Sequence, residues 1–251
     1  MAVWLNVALS RGHLIMQDSS WLQSSAANTS KPNWLLVVVQ CMTSTPDALL
    51  EALEEQNRTA LSRLGSSKSL YAATGGEIDT EPVLRAAAEA EYAAWQTFSG
   101  WAEDEAQTTA RDVFEACATA ERDHYETVSD RLEAFEPDET PALHEYLRDL
   151  ESAPERLGGL LGRILASDRS KSQLVGFFVG DADPQTAALF REFGGDLDAQ
   201  RERTLEALET VCESESDWAD AEAAGTGAIE AAYGEYVESL EAMGANPKPV
   251  C

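Results

Sequence analysis

Two stretches of the chain place acidic and imidazole side chains where helical periodicity calls for core residues. In one stretch, steps of three and four residues keep six side chains on one helical face: Val113, Cys117, Glu121, His124, Val128 and Leu132. The other stretch repeats this pattern with Leu84, Ala88, Glu91, Trp95, Phe98 and Ala102. Burying an ionised carboxylate is costly unless it is paired or bound to a cation. The pattern therefore predicts two amphipathic helices that bury Glu91, Glu121 and His124. It also predicts that the buried carboxylates have a cation or another binding partner beside them.

The charge balance of the chain is strongly acidic, with 45 Asp and Glu against 18 Lys and Arg and a formal net charge of −27. Such a surface repels nucleic acids and anionic lipids, so we expect neither as a partner. The low lysine content favours a halophilic protein, the alternative being an acidic mesophilic one. Widely spaced cysteines without a C-x-x-C pair predict reduced thiols and a cytoplasmic location: Cys41, Cys117, Cys212 and Cys251.

The first 41 residues differ in composition from the rest of the chain. They carry one Arg, one Lys and one Asp, a net charge of +1, which leaves −28 for residues 42–251. Their apolar run 34–41 is far shorter than the ~20 residues of a membrane span, and they lack the order of a signal peptide. We therefore expect residues 1–41 to be a disordered arm or an over-extended reading frame, residues 42–244 to form the domain, and residues 245–251 to form a tail.

Helix-start signals recur from residue 45 onward. Thr45-Pro46, Thr140-Pro141 and Asp183-Pro184 each place a capping oxygen before a proline at the first helical position. Strand signals are nearly absent, so we predict an all-α protein. The predicted helices cover about 46–64 (with an extension to 73 left open), 81–105, 108–134, 141–150, 154–180, 184–212 and 217–243.

The long helices contain an internal repeat with an offset of 76 residues. Without gaps it aligns Phe114 with Phe190 and Gly100 with Gly176. Two such helical hairpins joined by a crossover predict an antiparallel four-helix bundle, here with an extra leading helix and an extra C-terminal helix. In that bundle each hairpin offers equivalent inward positions.

This repeat, together with Glu91 and the Glu121-x-x-His124 motif, resembles the ferritin-like superfamily over roughly residues 81–212. The resemblance is to rubrerythrin-related proteins of haloarchaeal type. Their site takes one Glu from each of two helices and a Glu-x-x-His from each of the other two. The resemblance implies that Glu91, Glu121 and His124 are metal ligands and that iron is a possible cofactor.

The second hairpin departs from the family pattern at all three ligand positions. The offset places Ser167, Leu197 and Gln200 where the first hairpin has its ligands, and none of these is a good ligand for iron. Asp168 could substitute for Ser167, but Lys171 follows one turn later and would pair with it. We therefore expect an incomplete di-iron site, and a cationic side chain could take the place of the missing iron.

The alternative to a metal site is a polar core network. In that interpretation Glu91 and Glu121 bind His124 and either Lys171 or Arg169. His144 is predicted to lie on the surface of the crossover, Cys117 to be a buried apolar side chain, and the clusters 103–105 and 213–217 to be solvated helix ends.

Two classes of function follow. The first is an iron-binding oxidoreductase that handles oxygen or peroxide, and it needs the ligands that the second hairpin lacks. The second is a non-catalytic scaffold, stress-linked or regulatory binding protein that keeps the bundle, and we favour it. The chain has no C-x-x-C pair for a rubredoxin-like iron domain. A homodimer remains a possible partner arrangement, because two copies of the first hairpin would add up to a full ligand set.

Overall fold

The computed structural model describes residues 44–137 and 140–248. The expectation of an all-α protein is confirmed for these residues, which contain nine α-helices and no strand. The helices are α1 Pro46–Gln56, α2 Arg58–Leu64, α3 Ser67–Ala73, α4 Thr80–Asp104, α5 Thr108–Ser129, α6 Ala142–Arg148, α7 Ala153–Gly180, α8 Pro184–Val211 and α9 Glu215–Ala242. The expectations for the arm 1–41 and for Cys251 lie outside the described residues.

Two of the predicted proline-linked caps are present. The Thr45 side chain accepts a hydrogen bond from the backbone N–H of Ala48, and the Asp183 carboxylate accepts from the first turn of α8. The third prediction is wrong, because α6 begins after Pro141 and has no side-chain cap. A cap satisfies backbone N–H groups that have no partner within the helix, so it fixes where the helix begins.

Two other helices begin with capping boxes. Ser152 and Glu155 bond each other's backbone N–H groups at the start of α7, and Ser214 and Asp217 do the same for α9. The last helix therefore begins two residues before the predicted 217. These reciprocal bonds fix where the two helices begin.

The predicted leading helix is divided into three. Asn57 leaves helical geometry between α1 and α2, and its side-chain amide donates to the backbone oxygen of Leu53, competing with regular helix bonding. Gly65 and Ser66 then separate α2 from α3. The helix α5 also ends earlier than predicted, at Ser129.

The long helices pack as two pairs. The first pair is α4 with α5, the second pair is α7 with α8, and α5 packs against α8. Buried apolar side chains form one cluster at the end of the pairs that holds Phe98 and Phe114, and a second cluster at the end that holds Phe178 and Phe190. A layer of buried polar side chains lies between these clusters.

The C-terminal helix α9 packs closely along α7. A Cβ atom at Gly158 would lie 2.1 Å from the backbone oxygen of Ala221, and one at Gly162 would lie 2.2 Å from that of Gly225. Side chains at these positions would collide with the backbone of α9, so the glycines are required by the close approach of the two helices. No helix in the described ranges has the length and apolar character needed to cross a membrane.

Candidate metal centre and buried ion-pair network

The structure brings together the three predicted ligands. Glu91 of α4 is 1% exposed, and Glu121 and His124 of α5 are 0% and 4% exposed. One potential ligand atom from each side chain lies within 4.8 Å of the others. By spacing alone, this buried group could hold a metal ion, as the sequence predicts.

Arg163 of α7 binds one of these carboxylates with both terminal nitrogens. Its Nη1 donates to Glu121 Oε1 at 2.9 Å and its Nη2 donates to Glu121 Oε2 at 3.0 Å. The guanidinium carbon lies 5.4 Å from the ring centroid of Phe98. This bidentate geometry is the strongest common form of carboxylate pairing, so both oxygens of Glu121 already have a cationic partner.

Lys171 of the same helix binds the other carboxylate. Its Nζ donates to Glu91 Oε1 at 2.5 Å, and it lies 5.7 Å from the ring centroid of Phe193. Arg169 was the predicted alternative to Lys171 in this network. That alternative is wrong, because Arg169 is partly exposed and faces Asp168. A two-residue step turns a helix by about 200°, so Arg169 and Lys171 point away from each other. Asp168 is partly exposed beside Arg169 and does not join the site, and the prediction that Lys171 pairs with it is wrong because Lys171 binds Glu91.

Gln200 of α8 provides a further hydrogen bond to Glu121. Its amide nitrogen donates to Glu121 Oε1 at 2.8 Å, and its amide oxygen accepts a longer bond of 3.4 Å from Arg163. The repeat placed Gln200 opposite the first hairpin's ligands, and this placement is confirmed. Leu197, one turn earlier, is buried in the larger apolar cluster.

His124 is held in a different way. Its Nε2 donates to Asp196 Oδ2 at 2.9 Å, and its ring stacks on Phe193 with 3.8 Å between ring centroids. Its Nδ1 lies 3.6 Å from Glu121 and 3.8 Å from Glu91, too far for a hydrogen bond. Burial opposes the charged ring, but these two carboxylates outweigh it and raise the pKa of His124 to about 10. At neutral pH both nitrogens therefore carry protons in the metal-free protein, and a metal ion could bind the ring only by displacing one of them.

The Glu121 carboxylate and the Arg163 guanidinium stabilise each other in their charged forms. Burial would raise the pKa of Glu121, but the Arg163 guanidinium holds it well below its usual range. Burial would likewise lower the pKa of Arg163, and Glu121 instead raises it. Both groups are therefore ionised in the folded protein.

The network is electrically balanced without a metal ion. Glu91 and Glu121 oppose Arg163 and Lys171, and the imidazolium of His124 opposes Asp196. A divalent cation would lie beside two buried positive charges and would find three of the four buried carboxylate oxygens already accepting hydrogen bonds. The residues as arranged do not fit a di-metal centre, because Arg163 and Lys171 would first have to withdraw.

Several other predicted positions differ from the structure. His144 is buried, with Nδ1 3.1 Å from the hydroxyl of Thr97, and burial lowers its pKa to about 3. Glu103, Asp104 and residues 213–216 are exposed as predicted, but Glu105 is buried and pairs with Arg156 at 3.2 Å. The prediction for Cys117 is confirmed, since it is 1% exposed and burial raises the pKa of its thiol to about 12.

Arg163 was missed by sequence reasoning. It lies in the run Leu160-Leu161-Gly162-Arg163-Ile164-Leu165, where every neighbour is apolar or glycine. A single cation in such a run must find a buried anion, and Glu91 and Glu121 were the available candidates. That signal was present in the sequence.

Comparison with protein-family models, with curated proteins and with solved structures finds no match for this chain. The resemblance to ferritin-like proteins therefore depends on the repeat and the three first-hairpin residues alone.

Proposed function

We propose that this chain is a non-catalytic, ferritin-like bundle in which protein cations replace the di-iron centre, and that it acts as a scaffold, stress-linked or regulatory binding protein. One observation carries the proposal: Arg163 binds both oxygens of Glu121, a residue that the family resemblance makes a metal ligand. A guanidinium in this position satisfies the carboxylate that the metal would otherwise bind.

The arrangement of the helices supports the ferritin-like part of the proposal. Two helix pairs contact each other through α5 and α8, and the short helix α6 lies between them in the chain. The polar layer draws on all four long helices at mid-height, as a metal centre in a four-helix bundle does. What differs is the chemistry of the second pair, which supplies donors to the carboxylates.

The loss of catalysis follows from the donor set. Oxygen or peroxide activation by paired irons needs bridging carboxylates and open coordination positions. Here the second pair presents Arg163, Lys171 and Gln200, which occupy the carboxylates with hydrogen bonds. The site is therefore suited to stabilising a defined packing of the four helices.

Metal counting tests the proposal. Protein purified in molar salt is loaded anaerobically with Fe²⁺, Mn²⁺ or Zn²⁺, desalted, and analysed for metal per chain. We expect far less than one equivalent for the natural chain. The double variant Arg163→Met/Lys171→Met, which leaves Glu91 and Glu121 without cations, should gain metal.

A matched control keeps this experiment specific. Arg169→Met/Lys248→Met removes the same two types of charge from outside the network and should bind no more metal than the natural chain. Two irons per natural chain would contradict the proposal.

The second candidate is an iron-binding oxidoreductase, and one observation favours it: Glu91, Glu121 and His124 offer atoms within 4.8 Å of one another. It requires the two cations to leave and His124 to lose a proton when iron enters. Oxygen or peroxide consumption by iron-loaded protein, absent in Glu121→Gln, would support this candidate over the first.

A further inference from the structure

A cavity of about 440 Å³ lies between the first and second helix pairs, on the side where α4 faces α7. Close backbone packing joins α4 to α5, α7 to α8 and α5 to α8, whereas α4 and α7 do not pack in this way. The cavity occupies this gap and also touches α3, α6 and α9. Its volume lies within the range of small-molecule sites in proteins.

Small side chains leave the cavity unfilled. Ala86 and Ala90 line it from α4, and Ala166, Ser167 and Ser170 line it from α7. Larger apolar side chains share the remaining walls with polar ones: Leu70, Leu143, Leu174 and Tyr236 with Ser69, Thr140, His144 and Gln173. The walls therefore suit a molecule with both apolar and polar parts.

The polar network forms one end of the cavity, because Glu91, Arg163 and Lys171 are all part of its lining. These side chains are between 1% and 5% exposed, and they have unused hydrogen-bonding capacity. Glu91 Oε2 and Arg163 Nε have no hydrogen-bond partner, and Lys171 uses one of three ammonium hydrogens on Glu91. Unsatisfied buried groups of this kind are costly unless a ligand or water fills them.

The distances indicate what kind of group could fill them. Arg163 Nη2 and Glu91 Oε2 are 3.9 Å apart, too far for a direct bond. Glu91 Oε2 is closed to solvent, so a single oxygen atom could accept from the guanidinium and donate to the carboxylate only after the two side chains move apart to admit it. A hydroxyl does both, and a carbonyl can accept from Arg163 or Lys171.

The charge of the network selects among ligands. Two buried carboxylates oppose two buried cations, so a charged head group would enter without a counter-charge. Glu89 and Glu235 also line the cavity and, with the net charge of −27, disfavour an anion. A cationic head would lie beside Arg163 and Lys171.

We propose that this cavity binds a neutral, partly apolar molecule with a hydroxyl or carbonyl head, the head lying on the Glu91, Arg163 and Lys171 end. The inference rests on the proposed function, since it needs these three residues to remain paired without a metal. The inference adds a class of ligand, neutral molecules with a hydroxyl or carbonyl head, to the proposed binding function.

A series of probes with one chain length and three charges tests the inference. 1-Octanol, octanoate and octylamine are titrated calorimetrically into the full chain, in molar salt with a chelator at neutral pH. We expect 1-octanol to bind at least about tenfold more tightly than either charged probe, a difference of about 1.4 kcal/mol. Tighter binding of octanoate or octylamine would overturn the inference, and so would the absence of binding by all three, which would mean that water alone occupies the cavity.

Filling the cavity locates the site. Ser167→Leu should weaken 1-octanol binding by about tenfold or more, and Ala90→Leu, on the opposite wall, should do the same if Ser167→Leu folds poorly. Ser172→Leu, an exposed position on the same helix that does not line the cavity, is the matched control. Unchanged affinity in both cavity variants would place the ligand elsewhere and overturn the inference.

Metal analysis of the same samples separates the two proposals. Two irons per chain would contradict the proposed function whatever the probes do. A metal-free chain that ignores 1-octanol would leave the proposed function standing and overturn the ligand inference alone.

Discussion

The two helix pairs bring opposite charges to the same layer of the molecule. The first pair contributes Glu91, Glu121 and His124, and the second contributes Arg163, Lys171 and Gln200, with each carboxylate bound by a cation from α7. The first pair offers half of a ligand set for a metal, and the second pair places cationic side chains where the metal would lie. Ligand-like residues in one half of a repeat must therefore be judged together with the groups that the other half presents to their carboxylates.

The pairs also differ in how they are supported. The second pair is flanked by α9, which approaches α7 so closely that glycine is needed at Gly158 and Gly162. The first pair contacts the short helices α3 and α6, and both of these also contact α7. The helix that supplies the cations is therefore the one fixed most tightly from outside the pairs.

The largest expected effect comes from removing a cation from the second pair. Arg163→Met leaves Glu121 buried without its bidentate partner and should lower the free energy of unfolding by about 3 to 5 kcal/mol. Adding Glu121→Leu to the same chain should recover much of this loss, since an apolar pair can replace a buried ion pair. Urea denaturation in molar salt measures both variants.

Arg169→Met is the control for this prediction. Arg169 is partly exposed and belongs to the same helix, so its removal should change stability by no more than about 0.5 kcal/mol. Equal losses in Arg163→Met and Arg169→Met would mean that the network does not hold the pairs together.

Sequence reasoning predicted much of the first pair because its information is local. The stripes that contain Glu91, Glu121 and His124 identify which residues share a helical face, and helical proximity brings them together. The repeat then transferred this geometry to the second pair and placed Gln200 correctly. Proline-linked caps predicted two helix starts within a residue.

The failures depend on contacts that a single helix does not specify. The offset of 76 aligns Arg163 with Ala87, so the repeat gave no reason to expect a charge there. The burial of His144 was missed because its partner Thr97 lies on another helix. The same applies to Glu105, whose burial depends on Arg156 of α7.

The next effect concerns how the network responds to pH. The pKa of His124 rises from 6.5 to about 10 on folding, so its contribution to stability is fully present below the lower value and is lost as pH rises through the upper one. The chain should lose stability between neutral pH and this upper value. The variant His124→Gln should lose less over the same interval, as thermal melts across the range would measure.

At acid pH the dependence of stability on pH has the opposite sign, and we call this part of the profile the acid limb. The pKa of Glu121 lies well below its ordinary value of 4.5 in the folded protein, so its contribution is present above that value and is lost as pH falls through the folded value. Glu121→Gln should flatten this limb. An acid limb as steep in the variant as in the natural chain would assign it to other carboxylates.

A smaller effect tests the support of the second pair by α9. Gly158→Ala places a methyl group against the backbone of Ala221 and should cost about 1 to 3 kcal/mol through overpacking. Gly176→Ala, on the same helix with nothing within 4 Å of the added carbon, should instead stabilise the chain by up to about 1 kcal/mol. Thermal melts in molar salt compare the two, and the same sign for both would contradict the close approach.

The smallest expected effect is on assembly. Two chains could complete a ligand set only if the first pair left its own second pair and met a copy of itself, and Arg163 and Lys171 oppose this by binding Glu121 and Glu91 within one chain. His124→Ala should therefore leave metal content and oligomeric state unchanged. It should cost about 1 to 3 kcal/mol through the lost bond to Asp196. Sedimentation of the variant and the natural chain, with and without iron, checks this. A dimer that forms with iron and disappears in His124→Ala would show that the first pair prefers a copy of itself to the cations of the second.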